Sequence, residues 1–257
     1  MSTEVPTVAL DGEAMVPLVR AAGALTAADL PPCSIIGGVA VAVRLGRAVR
    51  ATADLDAVTD YRFTPTALDV LRRREDAVYD PAEPHSIVVA GAEIQFQDVA
   101  PVDDAEIAEL DGTDLLYVAG HAHALGAATP VRIVAADRGA PVTAVVRVAP
   151  AGALVAMKLH AYLDRRRVAG PDKRPGDLWD IYHLLLHLGR ETASDLATAS
   201  PRLCAVVADL TRAHLVDGAA RARAVLRLSS DARYEAITAD ELRFVADAFI
   251  DDLDRAG

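Results

Sequence analysis

Two cysteines, Cys33 and Cys204, occur in 257 residues. They are too few for a disulfide framework and lack the neighbours of a cysteine-based zinc site. Aromatic residues make up 4%, too sparse for a base-stacking platform. No apolar run reaches the roughly 18 residues of a membrane span. The opening residues, MSTEVPTVALDGEAM, lack the basic-then-apolar order of a secretory signal. A cytoplasmic protein with no membrane partner is therefore expected. Basic residues are also short, 26 Lys+Arg against 37 Asp+Glu for a formal net charge of −11. That balance excludes a protein that coats nucleic acid through non-specific charge, while a local basic patch stays open. Lysine is almost missing: only Lys158 and Lys173 break the habit of writing Arg, and a lysine offers a compact point charge where arginine offers a planar fork.

What is present is core material. Hydrophobic residues reach 52%, which excludes disorder for most of the chain and fits one large domain or two modest ones. Up to Pro150 the pattern reads as mixed α/β. A short strand at 33–36 stops at Gly37-Gly38, a helix follows from Val39 to Leu45, and a strand runs from Thr52 to Val58. A helix from Thr64 to Arg74 is predicted with Thr64 as its cap before Pro65, then a hairpin through Gly91-Ala92. Further strands are expected at 115–118, 131–134 and 142–148, with His121-Ala122-His123 in a loop. After Pro150 no strand is predicted: helices are expected at 154–167, 177–188, 201–216, 218–228 and 239–254, with a loop over 168–176. The expected domains are thus 1–150, a sheet with helices, and 151–257, all helical.

The chemistry concentrates in Gly37-Gly38 and in Arg50-Ala51-Thr52-Ala53-Asp54-Leu55-Asp56. A strand that ends in two glycines and opens a helix lets backbone N–H groups approach a phosphate at the positive helix end. Asp54 and Asp56, two residues apart on a strand, project from the same face. Two carboxylates so placed repel unless a cation lies between them, and hard oxygen ligands suit Mg²⁺ carried in with a nucleoside triphosphate. A solvated polar strand edge is the plainer alternative.

The ordered set of strand, Gly37-Gly38, helix and Arg50-x-Thr52-x-Asp54-x-Asp56 resembles the signature of the DNA polymerase β-like nucleotidyltransferase superfamily. The match is nearest to its AbiEii/AbiGii-type toxins, which carry a second signature of a helical Lys followed by Asp-x-x-Asp. Here that reads Met157-Lys158-Leu159-His160, then Asp177-Leu178-Trp179-Asp180. The resemblance covers roughly residues 33 to 188. It implies a nucleotidyltransferase-type mixed sheet with flanking helices and a helical C-terminal subdomain, with the nucleotide in the cleft between. It also implies that Asp54 and Asp56 bind the metal, that Gly37 and Gly38, with Arg50 and Thr52, bind the triphosphate, that Lys158 neutralises its charge, and that Asp177 belongs to the active centre; Arg50 reads equally as a local ion pair that holds the Asp-bearing strand. Related proteins act as toxins in toxin–antitoxin pairs, and some add nucleotides to the 3′ end of tRNA. The implied cofactor is Mg²⁺, the co-substrate an NTP, and the partners tRNA and a cognate antitoxin. Where the superfamily places a third carboxylate on a neighbouring strand, the sequence reads Gln95; Glu93 or Asp98 is expected to substitute only through a change of register.

Other residues favour blander readings. If helices 154–167 and 177–188 form a simple antiparallel hairpin, Asp177 pairs near Arg166 and Lys158 lies on the order of 13 Å away along the axis. Asp177 and Asp180 would then anchor Arg165 or Arg166. His183 and His187 have zinc-ligand spacing but only leucines between them, so packing is expected. Arg72-Arg73-Arg74 and Arg165-Arg166-Arg167 with Lys173-Arg174 read as solvated helix ends, or as phosphate contacts if the substrate is RNA. No Gly-x-Ser-x-Gly elbow supports a hydrolase. The leading expectation is an RNA-directed nucleotidyltransferase. A small-molecule or protein acceptor, or a binding module without catalysis, stands as the alternative.

Overall fold

A computed structural model describes residues 4–256 apart from Val49, Ala51, 101–102, Arg138 and 166–172. In chain order the elements are β1 (Thr7–Ala9), α1 (Met15–Ala24), β2 (Cys33–Ile35), α2 (Gly37–Arg44), β3 (Asp54–Asp60), α3 (Ala67–Leu71), β4 (Ala77–Val78), β5 (Ser86–Val89) and β6 (Ala92–Val99). There follow α4 (Asp104–Glu109), α5 (Gly112–Gly126), β7 (Thr129–Asp137), β8 (Ala140–Val148), α6 (Ala151–Asp164), α7 (Arg174–Ala199), α8 (Pro201–Thr211), α9 (Ala219–Leu226), α10 (Ala232–Glu235) and α11 (Ala239–Ala256). The contacts divide into two units, residues 4–100 with 122–150, and residues 103–121 with 151–256. Residues 103–121, expected with the sheet, thus pack with the C-terminal helices.

The first unit is built on one eight-stranded mixed sheet of order β1-β7-β8-β2-β3-β6-β5-β4. β3 lies beside β2 antiparallel and β6 parallel. Alternation along β3 explains its place: Leu55 and Ala57 are fully buried, while Asp54 and Asp56 on the other face stay half-buried. α1 packs on β8, β7, β6 and β3, seating Leu18, Val19, Ala21 and Ala22 in the core. Arg44, at the end of α2, donates to the carbonyls of Ala149 and Val148 and fixes that helix to the exit of β8.

The second unit is helical among its described residues, as the absence of strand patterning after Pro150 predicts. α7 packs on α6 and α11. Gly152 permits a close approach of α6 to α7, since a Cβ there would fall 2.8 Å from that of Asp195. Asp195 accepts from the Gly152 N–H in the first turn of α6, where the helix dipole favours a carboxylate. On α11 the buried residues Leu242, Val245, Ala246, Phe249, Ile250 and Leu253 form one stripe.

Three local expectations fail. Residues 115–118 are not a strand, nor is His121-Ala122-His123 a loop; both lie in α5. The buried positions Leu115, Leu116, Ala119, Gly120, His121 and Ala124 recur with helical spacing, which a four-residue apolar window does not display. The helix expected over 64–74 spans only Ala67–Leu71. Its cap is Thr66 rather than Thr64, because Thr66 and Asp69 satisfy each other's backbone N–H in a capping box. The helix expected to stop at Leu188 is interrupted there by non-helical backbone, as predicted, and a further helical stretch, not foreseen, runs on to Ala199. A short helix, α10, was not foreseen, and the 201–216 helix ends in a π-turn over Arg212–Val216. The expected 168–176 loop and Arg166-Arg167 fall largely or wholly outside the described residues.

Candidate active site

The strand–glycine–helix junction is built by the Asp-bearing strand. Ile36 donates its backbone N–H to the Asp56 carbonyl at 2.9 Å, and α2 begins at the next residue. Gly37 has φ of +67°, and a Cβ on it would fall 1.8 Å from Asp56 Oδ2. Any other residue would be strained in its backbone and would displace the carboxylate. At Gly38 a Cβ would lie 2.9 Å from Arg50 Nη2 and 3.0 Å from Thr52 Oγ1. The glycine pair therefore admits Asp56, Arg50 and Thr52 to the start of α2. Ile36, at the cap position, has no side-chain oxygen and makes no capping bond, an N-terminus with the polarity to receive an anion. Thr52 Oγ1 donates to Asp54 Oδ1 at 3.2 Å and orients that carboxylate.

The neighbouring strand corrects one expectation. Asp54 is level with Glu93, and Asp56 with Gln95, in the parallel β3–β6 ladder. Glu93 thus shares the face of the carboxylate pair with no change of register. Asp98, level with Thr59, lies on the opposite face.

A second charged group forms within the helical unit. Lys158 on α6 lies 3.1 Å from Asp177 Oδ1 and 2.9 Å from Asp180 Oδ2. Arg165 donates to the other oxygen of Asp177. The side chains of Lys158, Asp177 and Asp180 are only 12%, 2% and 1% exposed. The hairpin count that separated Lys158 from Asp177 is overturned: Lys158 and Arg165, two turns apart on α6, both pair with Asp177, so Asp177 stands between them along that helix and not beside its end. Arg165 and Asp180, not proposed as site residues, belong to the group. Their spacing was the signal: 158 and 165 are two turns apart on α6, and 177 and 180 are neighbours on α7.

A family model described as the nucleotidyl transferase AbiEii toxin of type IV toxin–antitoxin systems matches residues 22–256. The chain belongs to the AbiEii family. The match spans both the Gly37–Asp56 junction and the Lys158–Asp180 group, and it makes this chain a nucleotidyltransferase whose donor is a nucleoside triphosphate. No curated protein matches the chain.

For an AbiEii enzyme the donor set at β3 fits a divalent cation. Two carboxylates and a hydroxyl stand beside a glycine cradle that a Cβ would fill, the kind of partial oxygen shell that Mg²⁺ completes with substrate phosphates. Among the described residues no group of three His, Cys, Asp or Glu side chains could hold a metal. His183 and His187 instead stack with ring centroids 5.6 Å apart, His183 also meeting Trp179 at 4.5 Å, as the packing reading expected. Burial pushes the Cys33 thiol up to about 11, which keeps it from acting as a thiolate near neutral pH. Arg72 pairs with Asp69 and covers the Tyr79 ring, and Arg74 pairs with Asp76. His121 donates from Nδ1 to the Tyr117 carbonyl, 2.6 Å away. Its burial lowers its pKa, as does that of His160. No helix among the described residues is long and apolar enough to cross a membrane.

Proposed function

We propose that this AbiEii-family chain is a Mg²⁺-dependent toxin that transfers a nucleoside monophosphate from an NTP to an RNA hydroxyl, with tRNA as acceptor. It would act in the cytoplasm under the control of a cognate antitoxin. The observation that carries the reading is the junction at which Gly37 and Gly38 make room for Asp56, Arg50 and Thr52. Asp54 and Asp56 would hold the cation, with Thr52 orienting the Asp54 carboxylate through its hydrogen bond. When bound, Mg²⁺ supplies positive charge to the phosphate oxygens as they gain negative charge. The first-turn N–H groups of α2 and the Arg50 guanidinium bind the triphosphate. Lys158 compensates further phosphate charge, and Asp177 fixes the ammonium. The acceptor hydroxyl loses its proton to solvent as its oxygen bonds to the α-phosphorus, the bond from that phosphorus to the bridging oxygen breaks, and pyrophosphate leaves. The resemblance to tRNA-modifying relatives supports the acceptor.

The experiment incubates the purified protein with Mg²⁺, each α-labelled NTP and total tRNA, beside Asp56→Ala. Label in RNA with the intact protein, and at least about 100-fold less with Asp56→Ala, is expected; removing a metal ligand sacrifices at least two factors of ten in rate. The net charge of −11 and the acid-paired Arg72 and Arg74 favour a second reading, a small-molecule or protein acceptor. No label in RNA, with label in another acceptor, selects it. NTP binding without turnover would select a binding module instead.

A further inference from the structure

The face that carries Asp54 and Asp56 does not end at β3. Across the ladders Asp54 is level with Glu93, Glu93 with Val88, and Val88 with Val78. In the next row Asp56 is level with Gln95, and Gln95 with Ser86. Residues level across a ladder project from one face, so one row runs outward from the carboxylates through β6, β5 and β4 and a second through β6 and β5. The reverse face of this wing is closed: Leu55, Ile94, Ile87 and Val89 are at most 1% exposed. On the carboxylate face Val88 is 38% and Val78 67% exposed. Neighbouring strands lie about 4.8 Å apart, which places Val88 about 10 Å from β3.

Charge and reaction geometry narrow what fits these rows. Asp54, Asp56 and Glu93 repel a phosphate backbone. The Gln95 amide and the Ser86 hydroxyl offer a donor and an acceptor without charge. The α2 N-terminus, proposed above for the triphosphate, meets β3 from the β2 side, with Gly37 against Asp56. In phosphoryl transfer the attacking and leaving oxygens stand roughly in line. Pyrophosphate departing towards α2 therefore calls for an acceptor that approaches over β6.

We propose that the β6–β5–β4 wing is the acceptor subsite. Val88 and Val78 carry the terminal base of an RNA acceptor, while Gln95 and Ser86 hydrogen-bond its neutral ribose or base edge. Gln95, standing level with Asp56, keeps that row neutral. This inference rests on nucleotidyl transfer to RNA and deepens it by naming the surface that holds the acceptor end.

The test varies total tRNA at saturating Mg²⁺ and NTP for the full chain, Val88→Asp, Val78→Asp, Val88→Ile and Val145→Asp. Val145 is an exposed valine on β8, on the other side of β3. Losing the burial of one valine side chain corresponds to about tenfold. The KM for tRNA is expected to rise about tenfold in both wing Asp variants, with the KM for NTP unchanged. Affinity for 5′-labelled tRNA without NTP should fall by the same factor, and Val88→Ile should retain the parent KM. Val78→Asp, on an exposed edge strand, carries the test if Val88→Asp does not fold. An unchanged tRNA KM in the wing variants overturns the subsite, as does an equal rise in Val145→Asp or a rise in the NTP KM instead. Wild-type protein that labels no RNA overturns the RNA reading itself, and the subsite with it; wild-type transfer with indifferent variants overturns the subsite alone.

Discussion

Asp54–Asp56 on β3 and Asp177–Asp180 on α7 each set two carboxylates on one face of an element, and they are treated in opposite ways. The helical pair is buried and compensated by Lys158 and Arg165. The strand pair stays half-buried beside a glycine cradle. Burying a charge costs several kcal/mol before any attraction is counted, so a buried pair persists only with partners in place. A half-exposed pair beside a helix N-terminus keeps room for an incoming cation and its phosphates. The first arrangement holds itself together through its own ion pairs; in the function proposed above the second receives the cation, and Lys158 adds compensating charge.

That contrast can be broken by removing one partner from each side. Lys158→Met leaves Asp177 and Asp180 buried, with Arg165 still on Asp177, and is expected to lower unfolding stability by about 3–5 kcal/mol, read from urea midpoints. Pairing it with Asp180→Leu should recover part of the loss, because a buried ion pair replaced as a unit costs less than one left half-made. Asp56→Ala, by contrast, should abolish transfer while leaving the midpoint within about 1 kcal/mol. Equal stability losses in Lys158→Met and Asp56→Ala would erase the distinction.

A smaller effect sharpens the strand side. Gly37→Ala places a Cβ against Asp56 at a positive φ, and the left-handed backbone alone costs about 1–2 kcal/mol. Loss of Mg²⁺–NTP affinity should exceed the loss of thermal stability, since the carboxylate must shift; Gly46→Ala, at φ of +68° with nothing within 4 Å of a Cβ, should lose stability alone.

The smallest effect is on the helical side. Burial lowers the pKa of His121 and His160 below the ordinary 6.5. As pH falls through 6.5 the unfolded chain takes up these protons before the folded one, so stability declines from there down to the folded pKa values and then levels. Urea midpoints between pH 7.5 and 5 should show a slope that His121→Gln reduces; an unchanged slope in that variant would remove His121 from the account.

The strand site was legible in the sequence because its signals are local. Gly37-Gly38 and the alternation of Asp54, Leu55 and Asp56 each lie within one element and its immediate junction. What faces Asp54 depends on how β6 aligns with β3, and sequence alternation fixes which residues of a strand share a face but not which residue stands level with which. Alternation alone therefore does not set Glu93 level with Asp54. The Lys158 group was half legible: helical spacing aligned 158 with 165 and 177 with 180, while the crossing of α6 and α7 depends on packing at positions such as Gly152. Within α5, Leu115–Val118 alone is short and apolar and reads as a strand, while the helical period emerges only over the full 15 residues.

The order in which the chain is made has a consequence of its own. β1 pairs with β7, Thr7 level with Arg132, and Gly120 packs closely on Ala156 and Met157. On a ribosome adding about 5–20 residues per second, the first strand waits on the order of ten seconds for its neighbour. The α5 segment emerges before the helix that covers it. Neither unit can be completed from an uninterrupted stretch of nascent chain, so synthesis halted near residue 120 would leave β3 without the finished sheet around it. A fragment cut at Pro150 would likewise strip residues 103–121 from the helices they pack with.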